Sequence, residues 1–133
     1  MRKEHYQGLG HIAIATADIR ESIAFYEKIG GTLFKQGTLP SPAGEKQLAL
    51  VEFGGFLLEF IQNPAATPTE AGIIPHIAVY VDDVDAAAAD LRAAGVDTFL
   101  TPEKEVLPTL FGGLENWFFT GPSSEQIELL HML

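Results

Sequence analysis

His11-Ile-Ala-Ile-Ala-Thr-Ala-Asp18 returns later in the chain as His76-Ile-Ala-Val-Tyr-Val-Asp-Asp83. Laid over one another without a gap, the two stretches keep matching as far as Gly30 and Gly95. His11 meets His76, Ile12 meets Ile77, Ala13 meets Ala78, Asp18 meets Asp83 and Ala24 meets Ala89. A repeat of this kind governs the reading of a fold. Two copies are too few for a solenoid. They predict one compact domain of two similar halves, with a site where the halves face each other. Within each copy the alternation is that of a strand: Ile12 and Ile14 point to one side, His11, Ala13 and Ala15 to the other. The second copy sets Ile77, Val79 and Val81 against His76, Ala78 and Tyr80. The branched side can pack on a helix. The other side carries a histidine among small residues, which leaves room for something else. One histidine at a strand start is more often structural; two at matching positions of a repeat are a poorer fit to accident.

Outward from the repeat, each half reads as strand, helix and three further strands. The first strand covers about 9–16. Asp18 reads as an N-cap, with Glu21 completing a capping-box variant. Ile19, Ile23 and Tyr26 follow at helical spacing, and Gly30-Gly31 ends the helix. Strands are predicted at Thr32–Gln36, Gln47–Phe53 and Phe56–Gln62. A loop is expected over 38–44 and a tight hairpin at Gly54-Gly55. Residues 63–72 form a linker rich in Pro and Gly, so module one spans about 8–63 and module two about 73–133. In module two, Ile73–Val81 is a strand and Asp83 caps a helix closed by Gly95. Val96–Leu100, Glu115–Thr120 and Gln126–Met132 are strands, and Thr101–Gly113 is a long loop.

The chain has 133 residues, enough for one domain with a core and too few for two ordinary ones. The net charge is −10 with only 8 Lys and Arg, which argues against nucleic acid or an anionic membrane as partner. No Cys is present, which excludes disulfides and thiolate chemistry. There is no signal-peptide core near the N-terminus and no apolar run approaching the roughly 20 residues of a membrane span. A cytoplasmic protein is the expectation.

Two carboxylates stand out. Glu59 lies in Leu57-Leu-Glu-Phe-Ile and Glu128 in Gln126-Ile-Glu-Leu-Leu, each in the last strand of its half. A buried, unpaired carboxylate costs several kcal/mol. Either strand alone could be an edge with its glutamate facing water. The repeat instead gives each half one His on its first strand and one Glu on its last. If those strands pair, His and Glu come side by side on one sheet face. Two such faces make a two-His, two-Glu set, His11, Glu59, His76 and Glu128, suited to a divalent transition metal.

The sequence resembles the vicinal oxygen chelate superfamily, which includes glyoxalase I, methylmalonyl-CoA epimerase, extradiol dioxygenases and bleomycin- or fosfomycin-resistance proteins. The resemblance covers about residues 8–133. It is carried by the two repeat stretches, by Phe25-Tyr-Glu-Lys-Ile-Gly-Gly, by Phe56-Leu-Leu-Glu-Phe-Ile and by Phe118-Phe-Thr-Gly-Pro-Ser-Ser-Glu-Gln-Ile-Glu-Leu. It implies an α+β fold of two βαβββ modules whose curved mixed sheets enclose a metal-site cavity. The family's metal positions fall on His11, Glu59, His76 and Glu128, with Zn, Ni, Co, Mn or Fe as the ion. A filled Glu59 position is closer to isomerase or lyase members, which move a proton next to a carbonyl through a metal-stabilised enediolate. Glu128 or Glu59 would then be the general base. The alternatives are a metal-dependent dioxygenase and a metal-free small-molecule binding or resistance protein. Asn63 matches a glutathione-contacting asparagine of glyoxalase I, although an Asn before Pro is also a common turn residue. Ala15 stands where glutathione-using members carry an arginine. Tyr80, on the face of His76, and Trp117 are candidates for the substrate pocket. The expected partners are a small-molecule substrate and a second copy of the chain, since the family forms homodimers; its halves pair within a chain in some members and between chains in others.

Overall fold

The computed structural model describes residue 4, residues 9–65 and residues 76–133. Module one runs β1 (Ile12–Ala15), α1 (Ile19–Lys28), β2 (Thr32–Ser41), β3 (Gly44–Phe53) and β4 (Phe56–Gln62). Module two runs β5 (Ile77–Tyr80), α2 (Val84–Ala93), β6 (Glu105–Leu107), β7 (Leu114–Thr120) and β8 (Gln126–Met132). The first sheet has the order β1-β4-β3-β2 and the second β5-β8-β7-β6. In both, the first strand lies parallel to the last and the remaining pairs are antiparallel. The expected α+β fold of two βαβββ modules with mixed sheets is what the chain adopts. Most of the linker, residues 66–72, and the start of the expected strand at 73–75 lie outside the described residues. Among the described residues no helix is long and apolar enough to cross a membrane.

The repeated aspartates act as read. Asp18 accepts from the backbone N–H groups of Arg20 and Glu21, and Asp83 from that of Ala86. The capping box is only half made, because the N–H of Asp18 donates to Thr16 Oγ1 rather than to the Glu21 side chain. Gly30 and Gly95, at φ 110° and 87°, let the chain leave each helix in the left-handed region. The Gly31 N–H returns to the Tyr26 carbonyl at 2.6 Å, and the Val96 N–H to that of Leu91 at 2.9 Å.

Three expectations need correction. The predicted loop at 38–44 is the tip of a long hairpin, with β2 and β3 paired as far as Ser41 and Gly44. Pro40 is tolerated there because β2 is an edge strand whose outer side needs no ladder donor. The predicted strand at 96–100 shrinks to a single bridge, Phe99 to Phe119. A short strand, β6, forms instead inside the predicted loop at 101–113 and pairs with the start of β7. The outer edge of β7 is thus covered in two pieces, and Pro102, which has no N–H to give, falls between them.

One buried cluster runs through both modules. Ile19, Ile23 and Tyr26 of α1 pack with Val51, Leu58 and Phe60, and the cluster continues through Ile77, Val79, Ile127 and Leu129 to Val84, Ala88 and Leu91 of α2. On their strands these residues have the parity opposite to Glu59 and Glu128. Both helix-bearing faces therefore turn toward a shared core. Gly54, at φ 62° in the Gly54-Gly55 turn, shows how close the modules come: a Cβ there would stand 2.5 Å from Val79 Cγ1. A second link joins Tyr26 of α1, fully buried, to Glu125 in the turn before β8, with the hydroxyl donating to Oε2 at 3.2 Å. Burial, then the neighbouring Glu125 charge, pushes the Tyr26 phenol far above its ordinary value. Burial likewise raises the Glu125 carboxyl, although backbone N–H donors and the Tyr26 hydroxyl pull the other way.

Candidate metal centre

The parallel pairing of β1 with β4 sets Ala13 opposite Glu59, and that of β5 with β8 sets Ala78 opposite Glu128. His11 and His76 stand two residues before those alanines, on the same face. Each histidine therefore reaches its glutamate past one small side chain. His11 Nε2 lies 3.5 Å from Glu59 Oε1, and His76 Nε2 lies 3.5 Å from Glu128 Oε1. Two donors each about 2.1 Å from one ion are roughly 3–3.5 Å apart, so either pair fits two corners of a coordination sphere.

The pairs differ in their surroundings. Both histidines are well exposed, with side chains 43% and 39% accessible. Glu59 is partly exposed, whereas Glu128 is buried and its Oε2 accepts from Asn116 Nδ2 at 2.7 Å. The other side-chain atom of Asn116, Oδ1, is buried and without a partner. Phe118 stands opposite Glu128 and packs its ring edge-on to His76, with centroids 5.1 Å apart. Within this chain the two pairs stay separate: among the described residues no group of three or more His, Asp or Glu side chains could hold an ion. Their separation follows from the shared core, which turns the two pair-bearing faces away from each other.

Residues 8–129 match the model of the Glyoxalase/Bleomycin resistance protein/Dioxygenase superfamily. The chain belongs to this superfamily. Human mitochondrial methylmalonyl-CoA epimerase is 30% identical over 92 residues, 63% of this chain and 52% of the epimerase, so the chain spans about half the length of that relative. The uncharacterized protein YwbC of Bacillus subtilis is 29% identical over 126 residues, 90% of this chain and 94% of YwbC. Among solved structures, the fosfomycin resistance protein FosX of Listeria monocytogenes superposes with a TM-score of 0.74 at 18% identity, covering 96% of this chain and 95% of that one. At that identity the likeness is one of fold.

On this superfamily framework the remaining candidates separate. Tyr80 pairs with Leu130 on the face of Glu128 and is 79% exposed. Trp117 is a correction. It pairs with Leu129 on the opposite, helix-bearing face, is buried against Phe99 and the Arg92 guanidinium, and donates from Nε1 to the Thr101 carbonyl. It belongs to the core because strand parity separates it from Glu128. Asn63 Oδ1 accepts from the Ala65 N–H at 3.0 Å, so the side chain closes the turn after β4. His131 Nδ1 lies 3.1 Å from the Val81 carbonyl and holds β8 to the end of β5. The sequence reading passed over Asn116. Its signal was available, since it shares parity with Phe118 and so with Glu128.

Proposed function

We propose that this protein is a metal-dependent isomerase or lyase of the glyoxalase I or epimerase type, working as a homodimer on a small carbonyl substrate. The observation that carries the reading is the recurrence of one His–Glu pair, with donor atoms 3.5 Å apart, at the same place in both modules. One pair offers too few ligands for a tight transition-metal site. Because the shared core keeps the pairs apart in one chain, the complete set of His11, Glu59, His76 and Glu128 forms where module one of one copy meets module two of another. The histidines stand immediately before β1 and β5, the edge strands on one side of each sheet.

When bound, a divalent cation supplies positive charge next to the carbonyl oxygen whose neighbouring carbon gives up a proton. His11 and His76 would hold a ring nitrogen toward that position. One of the two glutamates takes the proton and returns it to the same or the adjacent carbon, and the other stays in place. Tyr80, projecting from the face of His76, is the hydroxyl assigned to a substrate oxygen. Alanines 13, 15 and 78, beside the pairs, leave space for the substrate. The likeness to methylmalonyl-CoA epimerase supports an acyl thioester as the first substrate to test.

The test has two parts. Elemental analysis of the purified dimer should find close to one divalent ion per chain. The metal-loaded protein in heavy water should then exchange the hydrogen next to the carbonyl of methylmalonyl-CoA or of a hemithioacetal, with no oxygen consumed. A metal-free protein that refuses added Zn²⁺, Co²⁺ and Mn²⁺ would exclude the reading, and oxygen uptake would move it to a dioxygenase.

A further inference from the structure

The two glutamates are alike in sequence position but not in how they are held. Glu128 is buried, and Asn116 Nδ2 donates to its Oε2 at 2.7 Å. With Oε2 engaged, Oε1 is the oxygen left toward His76. The amide can present only its NH₂ end to a carboxylate, because its oxygen would face like charge. Asn116 Oδ1 is thereby left buried with no donor. That is a costly arrangement unless a hydrogen-bond donor arrives with the bound state.

The repeat supplies an internal comparison. In module two, Phe118 stands opposite Glu128, and Asn116, opposite Leu130, is its diagonal neighbour. In module one, Leu50 stands opposite Glu59, and the matching diagonal position, opposite Ile61, is Leu48. An amide on one side corresponds to a hydrocarbon on the other. Among the described residues the polar partner of the Glu59 side chain is His11, at 3.5 Å.

We infer that Asn116 is a positioning residue that holds Glu128 with Oε1 toward the position a metal would take, a restraint that Glu59 lacks among the described residues. This rests on the metal-dependent reading above and deepens it by dividing the roles of the two glutamates. A carboxylate fixed by a hydrogen bond loses less freedom on ligation, and such outer partners are commonly worth about tenfold to a hundredfold in metal affinity. The donor that Oδ1 lacks would come from substrate or solvent in the completed site.

The experiment titrates the protein with Co²⁺ alone and follows visible absorption, which reports both affinity and coordination. Asn116→Leu copies the module-one situation and should weaken Co²⁺ binding about tenfold or more and alter the absorption band. Asn116→Gln, which can still donate, should recover part of the loss. Leu48→Asn, at a partly exposed position that tolerates a polar side chain, makes the reciprocal change. It should tighten binding severalfold by fixing Glu59. Wild-type affinity and an unchanged band in Asn116→Leu, in a protein that is still dimeric with a native circular dichroism spectrum, would overturn the assignment while leaving the metal reading intact. Should Asn116→Leu fail to fold, an unchanged affinity in Leu48→Asn decides against it. A wild-type protein that binds no Co²⁺ would remove the metal reading, and this inference with it.

Discussion

If the ligand set is divided between two copies, it can be broken in two places and restored by mixing. One variant carries His11→Ala and Glu59→Ala and keeps only the module-two pair. The other carries His76→Ala and Glu128→Ala and keeps only the module-one pair. Each variant alone has no complete site, and neither should retain metal. A mixed dimer has one site lacking all four ligands and one with all four. Random exchange makes about half of the dimers mixed, each with one of two sites intact, so the mixture should hold about a quarter of wild-type metal. Three of the four side chains are at least one-fifth exposed, so their removal should cost little in folding. Glu128 is the exception; its loss leaves Asn116 Nδ2 without its acceptor, at about 1–3 kcal/mol. The assay is to unfold and refold equimolar variants together, pass them through a desalting column and measure bound Zn²⁺ or Co²⁺. Restored metal in the refolded mixture, absent from each variant refolded alone, is the expected result. If the four ligands met within one chain, no mixture could contain a complete site. Metal content at zero for every mixing ratio, with dimers present, would therefore refute the shared site.

Further expectations concern the framework. Glu125 has a raised folded-state pKa, so its contribution to stability is fully present below the ordinary carboxyl value of roughly 4.3. It is lost as pH rises through the folded value. Glu125→Gln should flatten that decline and be at least as stable as wild type at pH 7, as read by urea unfolding from pH 4 to 7; a parallel pair of pH profiles would contradict this. Gly54→Ala puts a methyl group against Val79 at a positive φ. It should cost about 2–4 kcal/mol, compared with about 1 for Gly55→Ala, which has open space, and Val79→Ala should recover part of the difference. Trp117→Ala should cost about 3–5 kcal/mol in unfolding free energy with Co²⁺ affinity unchanged, because Trp117 faces the core. Equal losses of stability and metal affinity would return it to the site.

What the sequence made legible follows from periodicity. The His–Glu pairs were readable because strand alternation and a repeat together fix which side chains share a face; the register sets Ala13 and Ala78 opposite the glutamates, and each histidine reaches its glutamate to 3.5 Å. The helix caps were readable because Asp18 and Asp83 act on their own next turn. Periodicity failed where tertiary surroundings decide. Pro40 breaks a ladder only in a strand with neighbours on both sides, and β2 has one. Trp117 looked like a pocket residue because an aromatic run gives no indication of which face holds the cavity. Parity measured from Glu128 would have placed it in the core and pointed to Asn116. The relation between modules was not legible at all, since a repeat is consistent with halves joined at either face.

The shared core settles that relation, and its consequence is one of symmetry. The continuous core cluster joins the modules through their helix-bearing faces, with Tyr26 to Glu125 and Gly54 against Val79 as further links. Burying those faces together fixes the pair-bearing faces outward, so within a chain more stabilisation of this interface makes a four-ligand site less attainable. The proposed second copy would resolve the conflict without new sequence. In the proposed dimer, a two-fold axis that brings module one of the first chain to module two of the second also makes the reverse contact, so the assembly would close with two equivalent sites. Asn116 then matters more than its single hydrogen bond suggests. Between two similar halves it is one of the differences at the pairs, with Phe118 for Leu50 and Tyr80 for Ala15, and the proposed division of roles between the glutamates needs the halves to differ there.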